Sequence, residues 1–334
     1  FRTAVKRDFW PHIEAQYREE LQGIADGLRS VGSRIDVWDV TAANAYMELS
    51  PYYVSWRDAT PQKAPGEHCS AFLATGSYTR DHHIVIGHNN WSGYLDGERW
   101  RIVFDIRPSS GHRILMDGLP GLIHSGDDFG MNSAGLVITE TTISRFSGFA
   151  PGGVPEFIRA RKAMQYASSI DDFDRIMRQG NNGGYANNWL VGDTRTNEIA
   201  SLELGLKNVT LERTRDGYFV GTNFPKNPKL IREETAYNPD DLTTSPAARR
   251  VRAEEMLAGA KGRIDVSFGR KYLSDHYDSF DKQVQPGERT LCGHIDLSPR
   301  GSRPWQPPFG ACGTVQAKVR SEERRVGKEC RSRW

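Results

Sequence analysis

Cysteine is scarce in this chain, with four residues among 334. So few cysteines exclude a small scaffold held together by disulfides. Long apolar runs are missing too: none approaches the roughly 18 residues that a membrane helix requires, so the sequence predicts no transmembrane segment. Hydrophobic residues make up 37% of the chain, which is enough for a packed core and too many for a disordered protein.

An excess of one charge is also lacking once residues 320–334 are set apart. This stretch reads RSEERRVGKECRSRW and has no apolar periodicity. Its first five residues resemble the translation of a common sequencing-library adapter, so we interpret it as non-native and expect it to have no defined structure. A natural basic tail is the alternative. The other residues include 38 basic and 39 acidic side chains, net −1, and such a balance predicts no nucleic acid partner.

The first part of the chain has the pattern of helices. Apolar residues recur at spacings of three and four from Trp10 to Val31, which predicts a helix that Gly32 ends. A second helix is expected over 37–49, and an exposed linker over 60–67 contains two prolines and a glycine. Residue 1 is Phe rather than Met, so a lost signal peptide leaves secretion, the periplasm and the lysosome open as compartments.

The remainder alternates blocks of strands with blocks of helices. Strands are predicted at 71–73, 83–87, 101–106, 113–116, 136–143, 189–192, 199–205, 209–213 and 218–221. Helices are predicted at 154–167, from Ser169 onward, at 245–258 and at 266–273. This order indicates an α+β fold rather than regular βαβ units. Asp216-Gly217 predicts a hairpin between the last two strands, and residues 310–319 predict a further strand pair.

Cys69 is the residue to which chemistry is most readily assigned. It follows the linker in Glu67-His68-Cys69-Ser70. Cleavage between His68 and Cys69 would give Cys69 a free α-amine, which is a suitable general base beside its own thiol. The thiol can perform this cleavage by attacking the carbonyl of residue 68 to form a thioester that water hydrolyses. A buried thiol that acts only as a small apolar residue is the alternative.

Four segments resemble the phospholipase B-like family of N-terminal-nucleophile hydrolases and the related self-processing acyltransferases, the group that includes penicillin acyltransferase. They follow the family's order and together span most of 66–319. The segments are HCSAFLATGSYTRDHHIVIGHNNWSGY (68–94), DGLPGLIHSGDDFGMNSAGLVITETTIS (117–144), NNGGYANNWLVGD (181–193) and, more weakly, 293–319. The resemblance implies an αββα sandwich of two antiparallel sheets between helical layers, with the nucleophile heading a central strand.

The resemblance also implies roles for single residues. Cys69 matches the family nucleophile, and its α-amine would be the base. His88 matches a histidine that could lower the pKa of the thiol or orient the amine. Asn188 matches an oxyanion donor. Related amidases have Arg-Asn-x-Asp where this chain has His88-Asn89-Asn90-Trp91, so His88 and Trp91 depart from them.

Further residues are candidates for supporting roles. A second oxyanion donor of related enzymes follows an Asn-x-x-Gly-Leu segment, here 132–136, and would fall among Glu140, Thr141 and Thr142; Asn132 itself is a further candidate. Asp127 and Asp128 are adjacent, so their side chains would face opposite sides of a strand. We therefore expect them to cap a turn or hold His124 rather than act as a catalytic pair.

No metal or other cofactor is expected. His82 and His83 are neighbours that would point apart on a strand, and no carboxylate or cysteine completes a zinc-binding spacing around them. Cys292 and Cys312 could form a disulfide in a secreted protein; otherwise they are ordinary core residues.

These observations predict a self-cleaving N-terminal-cysteine hydrolase of acyl esters or amides. Residues 1–68 would be a helical propeptide or a retained small subunit, and 69–319 a hydrolase domain truncated at its C-terminal end. Its partners would be a small acyl substrate, such as a phospholipid, and its own N-terminal fragment. The alternatives are an amide-directed acyltransferase of the same family, an inactive relative that binds lipid or protein, and a cysteine-histidine hydrolase that needs no cleavage.

Overall fold

The structure is a computed structural model. It describes residues 1–60, 69–93, 97, 100–126, 129–295, 297–298 and the backbone of 309–317. The expectations for four features fall outside these residues: His68, Asp127, Asp128 and the stretch 320–334. The side chain of Cys312, and with it the expected disulfide, also falls outside them.

The described part of the chain contains helices at its start and two groups of helices between strands. The α-helices are α1 (Arg2–Ala4), α2 (Ala15–Ser30), α3 (Val37–Asn44), α4 (Tyr46–Glu48), α5 (Val54–Arg57), α6 (Glu156–Tyr166), α7 (Ile170–Arg178), α8 (Pro228–Glu234), α9 (Ser245–Ala258) and α10 (Val266–Leu273). Within that part, no helix is both long and apolar enough to cross a bilayer.

The strands form two antiparallel sheets and a short ribbon. They are β1 (Cys69–Thr75), β2 (Val85–Gly93), β3 (Ile102–Ile106), β4 (Ile114–Gly118), β5 (Phe129–Asn132), β6 (Leu136–Thr142), β7 (Asn187–Asp193), β8 (Glu198–Leu204), β9 (Val209–Thr214), β10 (Gly217–Gly221), β11 (Tyr277–Asp278), β12 (Gln283–Val284) and β13 (Phe309–Ala317). The larger sheet runs from β3 to β9 in chain order, the smaller has the order β10-β1-β2-β13, and β11 pairs with β12.

The two sheets pack face to face, with helices on their outer sides. The layer between the sheets is apolar: Ala71, Leu73, Ile84, Ile86, Phe129, Val137, Leu190, Ile199 and Phe219. Helices α6 and α7 cover the outer face of the larger sheet, and α9 and α10 cover that of the smaller one. The predicted four-layer α+β arrangement is therefore confirmed.

Strand β1 is buried on both faces, as the central strand of such a sandwich must be. Ala71 and Leu73 face the larger sheet, whereas Phe72 and Ala74 face the helices. Side chains alternate along a strand, so Cys69 points into the layer between the sheets.

The N-terminal helices share a core with the sandwich. Tyr17, Leu21 and Ala25 of α2 are buried in a cluster that also contains Phe157 and Ile158 of α6. Helix α2 ends as predicted, because Gly32 has a φ of 84°, which suits the left-handed turn after a helix. The apolar face of α2 is thus buried against α6, on the outer side of the larger sheet.

Two local predictions were wrong. Asp216-Gly217 does not close a hairpin, since β9 pairs with β8 in the larger sheet and β10 pairs with β1 in the smaller one. The turn carries the chain from one sheet to the other, and Asp216 is held by the backbone N–H of Ser77 at 2.6 Å. Residues 309–317 form one strand along β2 rather than a strand pair.

Glu48 links the N-terminal helices to the sandwich through buried hydrogen bonds. It accepts from the Glu156 N–H and from Asn182 Nδ2 at 2.7 Å. Burial is the main reason that its pKa is raised from 4.5 to about 7. Between these values the unfolded carboxyl ionises while the folded one keeps its proton, so this group makes the fold less stable as the pH rises.

We therefore expect Glu48→Gln, which cannot ionise, to become more stable relative to the unmodified chain between pH 4.5 and 7. The raised pKa corresponds to a change on the order of 3 kcal/mol. Urea unfolding at pH 5 and pH 7.5 measures it. Glu19→Gln, at an exposed site on α2, should show no such trend; a Glu48→Gln effect that is the same at both pH values would contradict the assignment.

Candidate active site

Cys69 begins β1 at the end of the layer between the two sheets, and its side chain is buried. The β1–β10 register pairs Ala71 with Gly221, which brings Asn223 opposite Cys69. The backbone N–H of Cys69 donates to Asn223 Oδ1 at 3.0 Å. The group that cleavage would convert to an α-amine is therefore already held by a side-chain acceptor.

Asn223 also connects the smaller sheet to the larger one. Its Nδ2 donates to the carbonyl of Thr142, at the end of β6, at 2.9 Å. Its own carbonyl accepts from the Ser144 N–H, also at 2.9 Å. The φ of Asn223 is 68°, in the left-handed region that Asn tolerates better than most residues. These bonds fix Cys69 relative to β6.

Arg249 supports the same point from the helical layer. It is fully buried and donates to the carbonyl of Cys69. It also donates to Ser70 Oγ at 3.2 Å and to Asn223 Oδ1 at 2.9 Å. Its Nε donates to Ser245 Oγ, one turn earlier on α9, at 2.9 Å. A permanent positive charge is thus held within hydrogen-bonding distance of the Cys69 backbone.

Trp91 shapes this arrangement through the contacts of its ring. The Arg249 guanidinium lies 4.7 Å from the centroid of the Trp91 ring, a cation–π contact. The ring also packs so closely against Gly293 that a Cβ on that residue would lie 2.1 Å from it. Trp91 therefore acts as a spacer between Arg249 and the 285–295 segment.

Asn188 and Thr141 lie on the facing surface of the larger sheet. They are paired across β6 and β7, and Asn188 shares the face of Leu190, which belongs to the layer between the sheets. Asn188 Oδ1 accepts from Ser201 Oγ at 2.7 Å. Its Nδ2 and Thr141 Oγ1 are buried and have no hydrogen-bond partner among the described residues. Two buried donors without a partner among the described residues thus lie on the surface of the larger sheet that faces β1.

The two sheets approach each other closely at Thr141. A Cβ placed on Gly221 would lie 2.7 Å from the Thr141 side chain, so β10 can approach β6 this closely only with glycine at that position. Since Gly221 pairs with Ala71, the approach also brings Thr141 and its partner Asn188 toward the Cys69 end of β1. The sequence-predicted residues Cys69, Thr141, Thr142 and Asn188 are therefore gathered in one region.

His88 faces the same layer but is not a cation. It pairs with Ala71 on β2, and its ring is stacked on Phe129 with an interplanar angle of 6°. Burial, together with the positive charge of Arg101, lowers its pKa from 6.5 to about 3. A ring with so low a pKa does not supply the positive charge by which a histidine would lower the pKa of the Cys69 thiol. The alternative, that His88 orients the amine, stays a prediction.

Asn132 is a structural residue rather than an oxyanion donor. Its Nδ2 donates to the carbonyls of Met164 at 3.0 Å and Ala167 at 2.9 Å. Its Oδ1 accepts from the N–H groups of Ala134 and Leu136 at 3.1 and 3.2 Å. These bonds close the β5–β6 turn against the end of α6 and occupy the amide fully.

The side chains of Glu140, His82 and His83 bind partners outside this region. Glu140 accepts from the Tyr185 hydroxyl at 3.0 Å. His82 Nδ1 contacts the Gly76 carbonyl and His83 Nδ1 contacts Asn197 Oδ1, so the two rings bind separate partners. One group of three possible metal ligands occurs among the described residues, namely His276, Cys292 and His294.

Sequence reasoning missed Asn223 and Arg249. For Arg249 a signal exists: it is flanked on one helical face by Ser245 and Ala253, small residues four positions away on each side, which leave room for a buried guanidinium. For Asn223 the only signal is an Asn two residues after a strand, which is also common in turns.

A sequence model of the family described as Phospholipase B matches residues 2–209, well over half of the chain. The chain belongs to the phospholipase B family. The match includes Cys69, His88 and Asn188 and ends before Asn223 and Arg249.

Individual relatives match shorter parts of the chain. An uncharacterized protein of Archaeoglobus fulgidus is 26% identical over 192 residues, covering 56% of this chain and 32% of its own length. A rat protein named "Putative phospholipase B-like 2" is 32% identical over 143 residues, covering 37% of this chain and 24% of its own. The alignments thus span about a quarter to a third of these relatives.

Among solved structures, a variant of conjugated bile acid hydrolase from Clostridium perfringens superimposes with a TM-score of 0.46 at 13% identity, covering 77% of this chain and 91% of that protein. A penicillin V acylase from Agrobacterium tumefaciens gives a TM-score of 0.41 at 14% identity, covering 74% and 79%.

Replacing the guanidinium of Arg249 by a single ammonium group tests whether its several hydrogen bonds hold this region together. In Arg249→Lys a single ammonium group cannot reach the Cys69 carbonyl, Asn223 Oδ1 and Ser245 Oγ at the same time. Some of these buried acceptors therefore lose their hydrogen-bond donor. We expect the free energy of unfolding to fall by about 2–4 kcal/mol, measured by urea denaturation. Arg270→Lys, at an exposed position on α10, should change it by less than about 0.5 kcal/mol. Equal stability of the two variants would contradict the role given to Arg249.

Proposed function

We propose that this chain is a self-processing hydrolase of acyl ester or amide bonds, with Cys69 as an N-terminal nucleophile exposed by cleavage before it. The observation that carries the proposal is the surrounding of Cys69. Its backbone N–H is held by Asn223, its carbonyl by Arg249, and its side chain faces the surface that bears Asn188. Membership of the phospholipase B family supports a hydrolase or acylase.

The cleavage requires no group beyond those of the chain and water. The Cys69 sulfur attacks the carbonyl carbon of residue 68, a C–S bond forms, and the C–N bond breaks as the nitrogen takes the thiol proton. Water then hydrolyses the thioester, which leaves a carboxylate on residue 68 and a thiol and an amine on Cys69. The Asn223 acceptor orients this nitrogen before and after the shift.

In the mature enzyme the amine would serve as the general base. It removes the proton from its own thiol, so base and nucleophile need no further alignment. The nearby Arg249 charge disfavours a second positive charge on the amine and thereby keeps it able to accept a proton. Neutral His88 would contribute packing and a hydrogen bond rather than charge.

The acyl carbonyl becomes an oxyanion when sulfur attacks it. Asn188 Nδ2 is the donor we assign to that oxygen, since Ser201 already orients the amide by occupying its Oδ1. Thr141 and Thr142, next to it on β6, are the candidates for the second donor. Departure of the alcohol or amine leaves a thioester on Cys69, which water hydrolyses.

The family name points to a phospholipid acyl ester as the substrate class. The chemistry serves an amide-linked acyl group equally well, because the same thiolate, base and oxyanion donors act on both carbonyls. An amine in place of water as the second acceptor would give acyl transfer instead of hydrolysis.

The first test is the intact mass after incubation near neutral pH. Cleavage before Cys69 divides the 37.6 kDa chain into pieces of about 8 and about 30 kDa, with Cys69 as the new N-terminus. Cys69→Ala, which lacks the nucleophile, should remain whole. A folded chain that stays whole while it hydrolyses an acyl ester would instead favour an uncleaved cysteine-histidine enzyme. A folded chain that neither cleaves nor hydrolyses would favour a binding relative.

A second test addresses the oxyanion donor. Asn188→Ala should lower kcat per cleaved molecule by about 10²–10³-fold on a p-nitrophenyl acyl ester, because the donor is lost in the transition state. Ser201→Ala keeps the donor and removes only its anchor, so it should cost about tenfold or less. Cleavage is scored separately by mass. Unchanged kcat in Asn188→Ala would assign the oxyanion to other donors.

A further inference from the structure

Three side chains with metal-binding atoms, none of them used in the proposed function, lie close together. His276 follows α10, and Cys292 and His294 lie in the segment after β12. His294 Nε2 is 3.1 Å from His276 Nε2 and 3.4 Å from Cys292 Sγ. All three ligand atoms lie within 4.8 Å of one another, and each residue is partly exposed. An ion from solvent could therefore reach the cluster.

The spacing of these atoms suits tetrahedral zinc. Zinc binds imidazole nitrogen at about 2.0–2.1 Å and thiolate sulfur at about 2.3 Å. Tetrahedral angles then place two nitrogens about 3.3 Å apart, and a nitrogen and a sulfur about 3.5 Å apart. The observed 3.1 and 3.4 Å need adjustments of only a few tenths of an ångström. The third pair, His276 Nε2 and Cys292 Sγ, lies within 4.8 Å and would have to come to about 3.5 Å. Two imidazoles and one thiolate are also ligands that zinc and its neighbours in the transition series prefer.

The backbone around the ligands is ordered by its own hydrogen bonds. The Cys292 N–H donates to the Asp275 carbonyl at 3.0 Å, and the His294 N–H donates to the Gly287 carbonyl at 3.0 Å. The single hydroxyl proton of Thr290 is shared between the carbonyls of Cys292 and Gly287, which lie 2.7 and 2.9 Å from Oγ1. The loop thus presents its two ligands next to His276 without needing a large rearrangement.

We propose that His276 Nε2, Cys292 Sγ and His294 Nε2 form a binding site for a divalent zinc-type cation, with the remaining position open to water or another donor. Gly293, between the two loop ligands, is the residue that packs against Trp91. A cation bound here would fasten the 285–295 segment to the end of α10. It would thereby stiffen the support behind Trp91 and Arg249.

The test uses the full chain, purified without a histidine tag, stripped of metal and kept with a non-thiol reductant. Titration with Co²⁺ should give tetrahedral visible bands and a thiolate-to-cobalt charge-transfer band that saturate at one equivalent, and Zn²⁺ should displace the cobalt and raise Tm. Cys292→Ser should abolish the charge-transfer band, and His276→Gln and His294→Gln should each weaken binding at least tenfold. The control variant His83→Gln changes a histidine outside the proposed site and should bind Co²⁺ and Zn²⁺ as the unmodified chain does.

Three results would overturn the site. They are a folded chain that binds neither metal stoichiometrically, cobalt spectra that persist in both Cys292→Ser and His294→Gln, and peptide mapping that finds Cys292 joined to Cys312 in the protein before reduction. Metal binding is read independently of hydrolysis and of cleavage at Cys69. The site can therefore fail while the proposed function holds, and the reverse.

Discussion

The bridge made by the Asn223 side chain is the interaction on which the candidate active site depends. One amide accepts from the Cys69 N–H and from Arg249, and donates to the carbonyl at the end of β6. Asp could not donate to that carbonyl, and Gln would be one methylene too long for the same turn. The position of Cys69 relative to β6 is therefore set by a neutral, short side chain that can both accept and donate.

The layer between the sheets changes character along its length. At one end it consists of aliphatic and aromatic side chains such as Leu73, Val137 and Leu190. Near Cys69 it contains Asn188 and Thr141, whose donors find no hydrogen-bond partner among the described residues. Each buried, unsatisfied donor costs the fold about 1–3 kcal/mol. Stability alone would not maintain such groups here, whereas a reaction that develops negative charge beside them would.

The sequence predicts well whatever is decided locally. The helix ended by Gly32, the strands of β1 and β6–β8 and the cap of α7 at Ser169, which accepts from the Asp172 N–H at 3.1 Å, follow from periodicity and turn chemistry. The Asp216-Gly217 turn was assigned to a hairpin because turn chemistry does not tell which sheet receives the next strand. The charge of His88 likewise depends on burial by Phe129, and the roles of Asn223 and Arg249 depend on partners 154 and 180 positions away.

Those long separations give the chain an order of assembly. Bringing distant segments together costs chain entropy before their contacts can stabilise the fold, so such pairings form late in folding. Cys69 acquires its surroundings only after α9 has docked on β1, which requires some 180 further residues to be synthesised. Self-cleavage would therefore wait for a nearly complete fold. Until then, residues 1–57 remain tethered to the segment they pack against, at the high effective concentration of an intramolecular partner. The long sequence separation of Cys69 from Asn223 and Arg249 would thus delay self-cleavage until most of the chain has folded.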